Sequence, residues 1–423
     1  MRKLTPDPIP WVVGLFAANV VLQRLSIPNL SIPVITPLML GWMVLVVWAG
    51  VAEINFRRLL LWLLATGVSG SLVILQVLFV QGPFVSVNSW AFWVVIWLPL
   101  VLQLRDRSRA TYQRCLAGIG NFGVAIGSLS LLFLAVQLLG VTYRDWMAEV
   151  VPPGMLVNGY VVSYPITYGA ELYKSNAWIA LEPSFLSFML GVCVVAAIIA
   201  RLHWVKVMVI FTGMLVTTAG SGLAIVIAFA LLTLLTGRGG RLRAYALPGV
   251  VLGAFFATTL LGQSILDRAT EAGASRSSTS LRTVEPYLYL WPEWVSDSLV
   301  PVLGRGPGSS AWVVNNLGIG GLLVPSPGKM LFDYGLIGGT LLIMVMVAAF
   351  VRSPEPVFAL ALAISMFTLQ AASPPLVVCV IAAVSLWSPT SLRRTGNVTL
   401  VDGLSSRRDV VRPSSSRSLW IAA

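Results

Sequence analysis

Apolar stretches recur along nearly the whole chain, and short polar links separate them. About 20 apolar residues cross a bilayer as a helix. On that length the pattern predicts spans near residues 9–29, 34–53, 59–80, 85–104, 115–140, 182–200, 204–219, 222–236, 244–262, 330–351, 356–372 and 374–388. Arg24 interrupts the first. The pair 204–219 and 222–236 is short and joined by Ala219-Gly220-Ser221-Gly222, as a tilted or re-entrant pair would be. The last pair is short as well, divided at Ser373-Pro374-Pro375. The expected fold is all-α: a polytopic transmembrane helical bundle of about 12 spans over residues 1–389. Two long segments, about 141–181 and 263–329, interrupt the series. Loops of that length in a compact architecture usually carry function. No internal repeat stands out.

Composition agrees with the pattern. Hydrophobic residues make up 57% of the chain and charged residues 10%. A soluble domain carries about 25% charged residues, so this chain lacks the charge for a water-facing surface. Its mean hydropathy of +0.86 says the same. The net charge of +12 does not mark a nucleic-acid binder, because no basic and aromatic patch accompanies it. Basic residues in a membrane protein set topology and meet anionic headgroups. Counted on alternate sides of the expected spans, twenty of the 28 lysines and arginines fall on one side and eight on the other. The basic side is expected to be cytoplasmic. Both termini then lie inside, and the two long loops lie outside. Met1-Arg2-Lys3 before an apolar stretch resembles a signal peptide, but no small-residue cleavage site leads into a soluble domain, so the stretch reads as the first span. The tail 390–423, rich in Ser and Arg, is expected to be disordered and to lie against anionic lipid.

Candidate chemistry concentrates in the two loops. The three cysteines lie in or beside apolar segments and suggest neither a disulfide nor a metal cluster. His203 sits in a short link and reads as interfacial. The middles of the spans are nearly free of ionisable residues, which counts against an ion-coupled transporter. The first loop holds Arg144, Asp145, Glu149, Glu171 and Lys174, then runs into Glu182-Pro183-Ser184. Pro183 suits the first turn of a helix. Glu182 then stands at a helix N-terminus, which favours its anion; it is either a helix-starting acid or a base facing the outer surface. The second loop holds Arg268, Arg276 and Arg282, then Tyr287, Tyr289, Trp291, Glu293 and Trp294, then Gly304-Arg305-Gly306-Pro307-Gly308-Ser309-Ser310. The aromatics suit an interfacial belt and also the stacking of sugars. Glycines at alternate positions let a backbone turn tightly and approach a ligand, or form a plain loop. The arginines suit an anion at the membrane surface, since guanidinium grips phosphate oxygens in a bidentate fork. Each alone could equally be a solvated charge.

At these residues the chain resembles the O-antigen ligase and O-antigen polymerase superfamily of integral membrane glycosyltransferases, over Lys174 to Gly339. The matching elements are a basic residue ahead of Glu182-Pro183-Ser184, the short pair around Thr217-Thr218-Ala219-Gly220-Ser221-Gly222, Arg282 followed by a stretch ending in Gly304-Arg305-Gly306-Pro307-Gly308, and Phe332-Asp333-Tyr334-Gly335-Leu336-Ile337-Gly338-Gly339. There are departures. Lys174 stands near the place where an Arg is usual. Gly220-Ser221-Gly222 replaces a frequent Ser-Arg. Pro327-Gly328-Lys329 occupies the neighbourhood where similar ligases keep a His. The missing His favours a polymerase of a capsule, exopolysaccharide or O-antigen over a ligase.

The resemblance implies glycosyl transfer without cofactor in a bacterial cytoplasmic membrane, and because no Asp-x-Asp-type cluster appears in the outer loops, no metal dependence is expected. A hydroxyl of one undecaprenyl-pyrophosphate-linked repeat attacks the anomeric carbon of the growing glycan, and undecaprenyl pyrophosphate leaves. Arg282 is expected to stabilise the leaving group and Glu182 to take the acceptor proton. Lys174, Arg268, Arg276, Arg305 and Lys329 are the candidate pyrophosphate and glycan contacts. The expected partners are the lipid-linked glycan, membrane lipids and other polysaccharide assembly proteins. The alternatives are ligase-type transfer to another acceptor, a flippase for a lipid-linked glycan, and a structural membrane subunit.

Overall fold

A computed structural model describes residues 6–28, 32–80, 84–166, 171–259, 261–263, 280–319, 321–370 and 372–388. Each of the twelve apolar stretches contains a helix. They are α1 (Ile9–Leu22), α2 (Ile35–Trp48), α3 (Phe56–Phe79), α4 (Val87–Trp97) and α5 (Arg109–Leu138). After a five-residue helix α6 (Trp146–Val150) come α7 (Pro183–Ile199), α8 (Trp204–Val216), α9 (Gly220–Leu235) and α10 (Arg243–Ala257). The second long segment folds as α11 (Ser280–Thr283), α12 (Glu285–Val295), α13 (Val300–Leu303) and α14 (Ser309–Asn316). The chain then continues through α15 (Ser326–Ala348), α16 (Pro356–Leu369) and α17 (Pro374–Ala383). Among the described residues, only α3, α5 and α15 are by themselves long and apolar enough to cross a membrane. The others run to 17 residues or fewer.

Local chemistry sets most of the boundaries. Asn55, Ser86 and Ser108 each accept an amide hydrogen of the first helical turn with their side chains, starting α3, α4 and α5. Proline in the first turn opens α7, α16 and α17, where a missing N–H costs nothing. α1 ends at Leu22, and Arg24 lies beyond it in a turn rather than inside a span. α15 begins at Ser326, so Lys329 belongs to its first turn and not to the preceding loop.

The core gathers around α7. Sixteen of its 17 residues are buried, and it packs against α5, α8, α9 and α17. α5 and α8 touch backbone to backbone: a Cβ on Gly213 would stand 2.6 Å from the Cα of Gly127. Small residues permit that approach, which is how helices associate when lipid removes the hydrophobic drive between them. Away from the core, α3 exposes Leu60, Leu63, Leu64, Ile74 and Leu78. A contiguous outward apolar face is costly in water and fits lipid.

The two ends of the bundle differ. At one end the N-termini of α3, α5 and α16 meet the link before α10. Glu355, buried, pairs with Arg241 at 2.8 Å and Arg109 at 3.4 Å. Arg58 donates to the carbonyls of Leu100, Leu102 and Ser385. A two-stranded antiparallel ribbon, β1 (Ala52–Ile54) with β2 (Leu102–Leu104), closes this end. The ribbon takes the last residues of two expected spans, 34–53 and 85–104. The long segments lie at the other end. The first is sewn to the turn after α1 by Ser26 N–H to Met155 O at 2.8 Å and Val157 N–H to Arg24 O at 2.9 Å. Arg24, itself buried, grips Asp145 with both terminal nitrogens at 2.7 and 2.6 Å. The second has its own small core of Leu281, Leu290, Val314, Leu322, Val324 and Phe332.

Candidate active site

Glu182 immediately precedes α7, with extended backbone at φ −147° and Pro183 next to it. That geometry turns its side chain back toward the loop. One carboxylate oxygen accepts from the Ser184 hydroxyl at 3.0 Å and the other from the Val161 amide at 3.4 Å. Burial pushes the Glu182 carboxyl above the usual carboxylate range, and it outweighs those two hydrogen bonds and the positive charge of Arg282, which pull it down. The helix N-terminus therefore does not decide its charge; desolvation does. A carboxyl held in this way is suited to gaining and losing a proton.

Arg282 lies on α11, half-buried, beside Leu281, which anchors it. Leu281 belongs to the small core, and its carbonyl accepts from Leu323 N–H at 3.1 Å. The structure thus brings Arg282 and Glu182, a hundred residues apart in sequence, within electrostatic reach of each other. Among the described residues the Arg282 guanidinium forms no hydrogen bond or ion pair, so its fork is open to an anion.

Below them lies the turn between α8 and α9. Ser221 donates to Ser184 O at 2.6 Å, Ser187 donates to Ala219 O at 2.8 Å, and Gly222 N–H donates to the Ser187 hydroxyl at 3.1 Å. The short pair read from Thr217 to Gly222 therefore braces the start of α7, directly behind Glu182. Sequence reasoning noticed this motif and missed its role; the serines at positions 184, 187 and 221 were its signal. Lys174 lies in the first loop, its backbone N–H donating to Tyr164 O at 2.8 Å. It is buried, its ammonium 5.6 Å from the centre of the Tyr164 ring.

Two of the remaining basic candidates are engaged elsewhere. Arg305 pairs with Glu293 at 2.6 Å and also donates to the Glu293 carbonyl at 3.0 Å. Lys329 pairs with Asp333 at 3.0 Å, one helical turn ahead. Arg268 and Arg276 lie outside the described residues, as does the tail 390–423.

The glycine-rich segment has an occupant, and it is Asp333 of α15. This buried carboxylate accepts from Gly308 N–H at 3.0 Å, Ser310 N–H at 2.8 Å, the Ser309 hydroxyl at 3.1 Å and Lys329. The backbone of Gly304, at φ +83°, lies against that of Gly335, at φ +65°, where α15 kinks. A side chain on either glycine would collide with the other strand of backbone. The segment is therefore a clamp that fixes the second loop onto the bundle. Among the described residues no three metal-ligating side chains gather.

The profile of a protein family described as WcaD colanic acid polymerase matches residues 12–403. No curated protein matches the chain.

Proposed function

Because the chain belongs to the WcaD colanic acid polymerase family, a family of membrane enzymes that join lipid-linked repeat units into exopolysaccharide, we propose that Glu182 and Arg282 carry the glycosyl transfer. The bond between the anomeric carbon of the growing glycan and its pyrophosphate oxygen breaks, and the pyrophosphate leaves with the electron pair. The hydroxyl oxygen of the next repeat bonds to that carbon and gives its proton to Glu182. The leaving group already carries negative charge, so cationic stabilisation is the chief demand, and Arg282 meets it with Lys174 and the loop arginines Arg268 and Arg276. Arg305 and Lys329 act at one remove, by fixing the loop that presents Arg282.

The observation that carries this reading is an open guanidinium acting on a desolvated carboxyl at one end of the bundle. In the same reading the basic end faces the cytoplasm, following the Lys/Arg asymmetry. The twelve apolar segments cross or enter the bilayer, and the Glu182 end faces outward, where the lipid-linked glycan waits. The donor and acceptor are undecaprenyl-pyrophosphate-linked, as in the O-antigen polymerases that this loop pattern resembles. Other polysaccharide assembly proteins would work beside it.

The pH dependence of polymerisation by purified protein tests the role of Glu182. A base must be ionised, so the rate falls as pH drops through the carboxyl's pKa. Because that pKa is raised, the acidic limb lies above the range of an ordinary glutamate. Glu182→Gln should remove this limb and most of the rate. An unchanged acidic limb in the Gln variant would overturn the assignment.

A further inference from the structure

Beside the transfer site, at the end of α5, the first loop encloses a recess of about 400 Å³. That is the size of a small-ligand pocket. Phe133, Tyr143, Trp146 and Trp178 supply its rings, and Thr142 and Arg144 line it with polar groups. Phe133 meets the Trp178 ring edge-on at 4.9 Å between centroids and the Tyr143 ring at 5.3 Å.

The backbone that presents Trp178 is strained. Ala177 and Trp178 have φ of +50° and +59° in succession, a left-handed conformation that bulky residues avoid. Three contacts hold them there. Ala177 N–H donates to the Ser175 hydroxyl at 3.2 Å, Trp178 N–H to Asn176 Oδ1 at 2.9 Å, and Arg24 to the Trp178 carbonyl at 3.3 Å. Strain maintained by its surroundings points to a function for the side chain it aims. Glu182 follows Trp178 by four residues on the same segment. Core packing does not explain Trp146, which is 57% exposed.

We propose that this recess is a glycan subsite, in which a sugar ring of the polymerising substrate stacks on Trp146 and Trp178 beside the transfer site; the proposal rests on the reading of Glu182 and Arg282 given above. The polarised C–H groups of a sugar face suit the negative faces of aromatic rings. The Tyr143 hydroxyl accepts from Asn176 at 3.3 Å and keeps its own hydrogen to give, and the exposed Arg144 guanidinium pairs with no described residue. A hydroxyl-rich ligand satisfies those donors, whereas an alkyl chain in the recess would bury them unpaired.

The test is calorimetric titration of the protein in nanodiscs with a single repeat oligosaccharide, freed by mild acid from the lipid-linked pool of a deletion strain. Saturable binding is expected for the wild type and for Arg282→Ala. Trp146→Ala should weaken it roughly tenfold or more, and Tyr143→Phe, which keeps the ring, should weaken it less. Undecaprenyl phosphate in the nanodisc should not compete. Absence of binding to the wild type, unchanged affinity in Trp146→Ala, or displacement by undecaprenyl phosphate would overturn the subsite. Full polymerisation by Arg282→Ala, with saccharide binding still dependent on Trp146, would instead refute the transfer-site reading and leave the subsite standing.

Discussion

Asp333→Ala removes the carboxylate around which the glycine-rich segment is wrapped, and its cost can be worked from the contacts. Two buried amides, Gly308 and Ser310, lose their acceptor. An unsatisfied buried donor costs about 1–3 kcal/mol. The Ser309 hydroxyl can turn elsewhere. Lys329, a quarter exposed, keeps water around its ammonium and adds less than a fully buried ion would. The two amides together set the loss at about 2–6 kcal/mol. Asp333→Asn keeps an acceptor and most of the shape, so it should cost about half as much. Lys329→Met leaves the carboxylate with its other three donors and should cost about 1 kcal/mol. Melting temperatures in detergent give the order, wild type above Lys329→Met above Asp333→Asn above Asp333→Ala. Limited proteolysis should also cut the Ala variant first between α12 and α14. If Asp333→Ala melts with the wild type, the clamp does not hold the loop and the account of Gly304 to Ser310 is wrong.

Two further predictions follow from the ends of the bundle. Burial raises the Asp145 carboxyl, but the Arg24 hydrogen bonds and charge more than offset that and leave it below the usual carboxylate range. The stability it contributes is therefore present above its unfolded value of about 3.9 and lost as pH falls through the lower folded value; Asp145→Asn should melt earlier than wild type near neutral pH and lose that difference in strong acid. For topology, single cysteines at position 288, which is 64% exposed on α12, and at position 239 should label from opposite sides of the membrane, position 288 from outside. Labelling of position 288 from the cytoplasm alone would invert the Lys/Arg argument.

Hydropathy alone made the twelve helical segments legible, because lipid leaves little room for other structure in a run of apolar residues. Their lengths were less legible. The stretch from Trp204 ends as a helix at Val216, since Thr218 turns to φ +47°, and no residue type signals that turn. The β1–β2 ribbon is too short to show a period of two. At the site, Glu182-Pro183 announced a helix start and Arg282 its own chemistry. The partners were hidden. Asp333 meets Gly308, and Arg24 meets Asp145, across 25 and 121 residues. Only the packed bundle decides which charge meets which. That is also why a glycine pattern suited to a ligand turned out to cradle the chain's own carboxylate. The preference for polymerase over ligase, read from the missing loop His, agrees with the family to which the chain belongs.

The central claim is that Arg282 stabilises the departing pyrophosphate, and sizing of lipid-linked glycans tests it most directly. A deletion strain should accumulate single repeats on undecaprenyl pyrophosphate. Wild-type protein should restore long chains. Arg282→Ala, inserted at normal levels, should leave the single repeats in place, with the rate reduced about 100-fold or more. Arg282→Lys should recover little, because an ammonium cannot make the bidentate fork. Full-length polymer from Arg282→Ala, or long chains stranded on the lipid carrier in the deletion strain, would contradict the account.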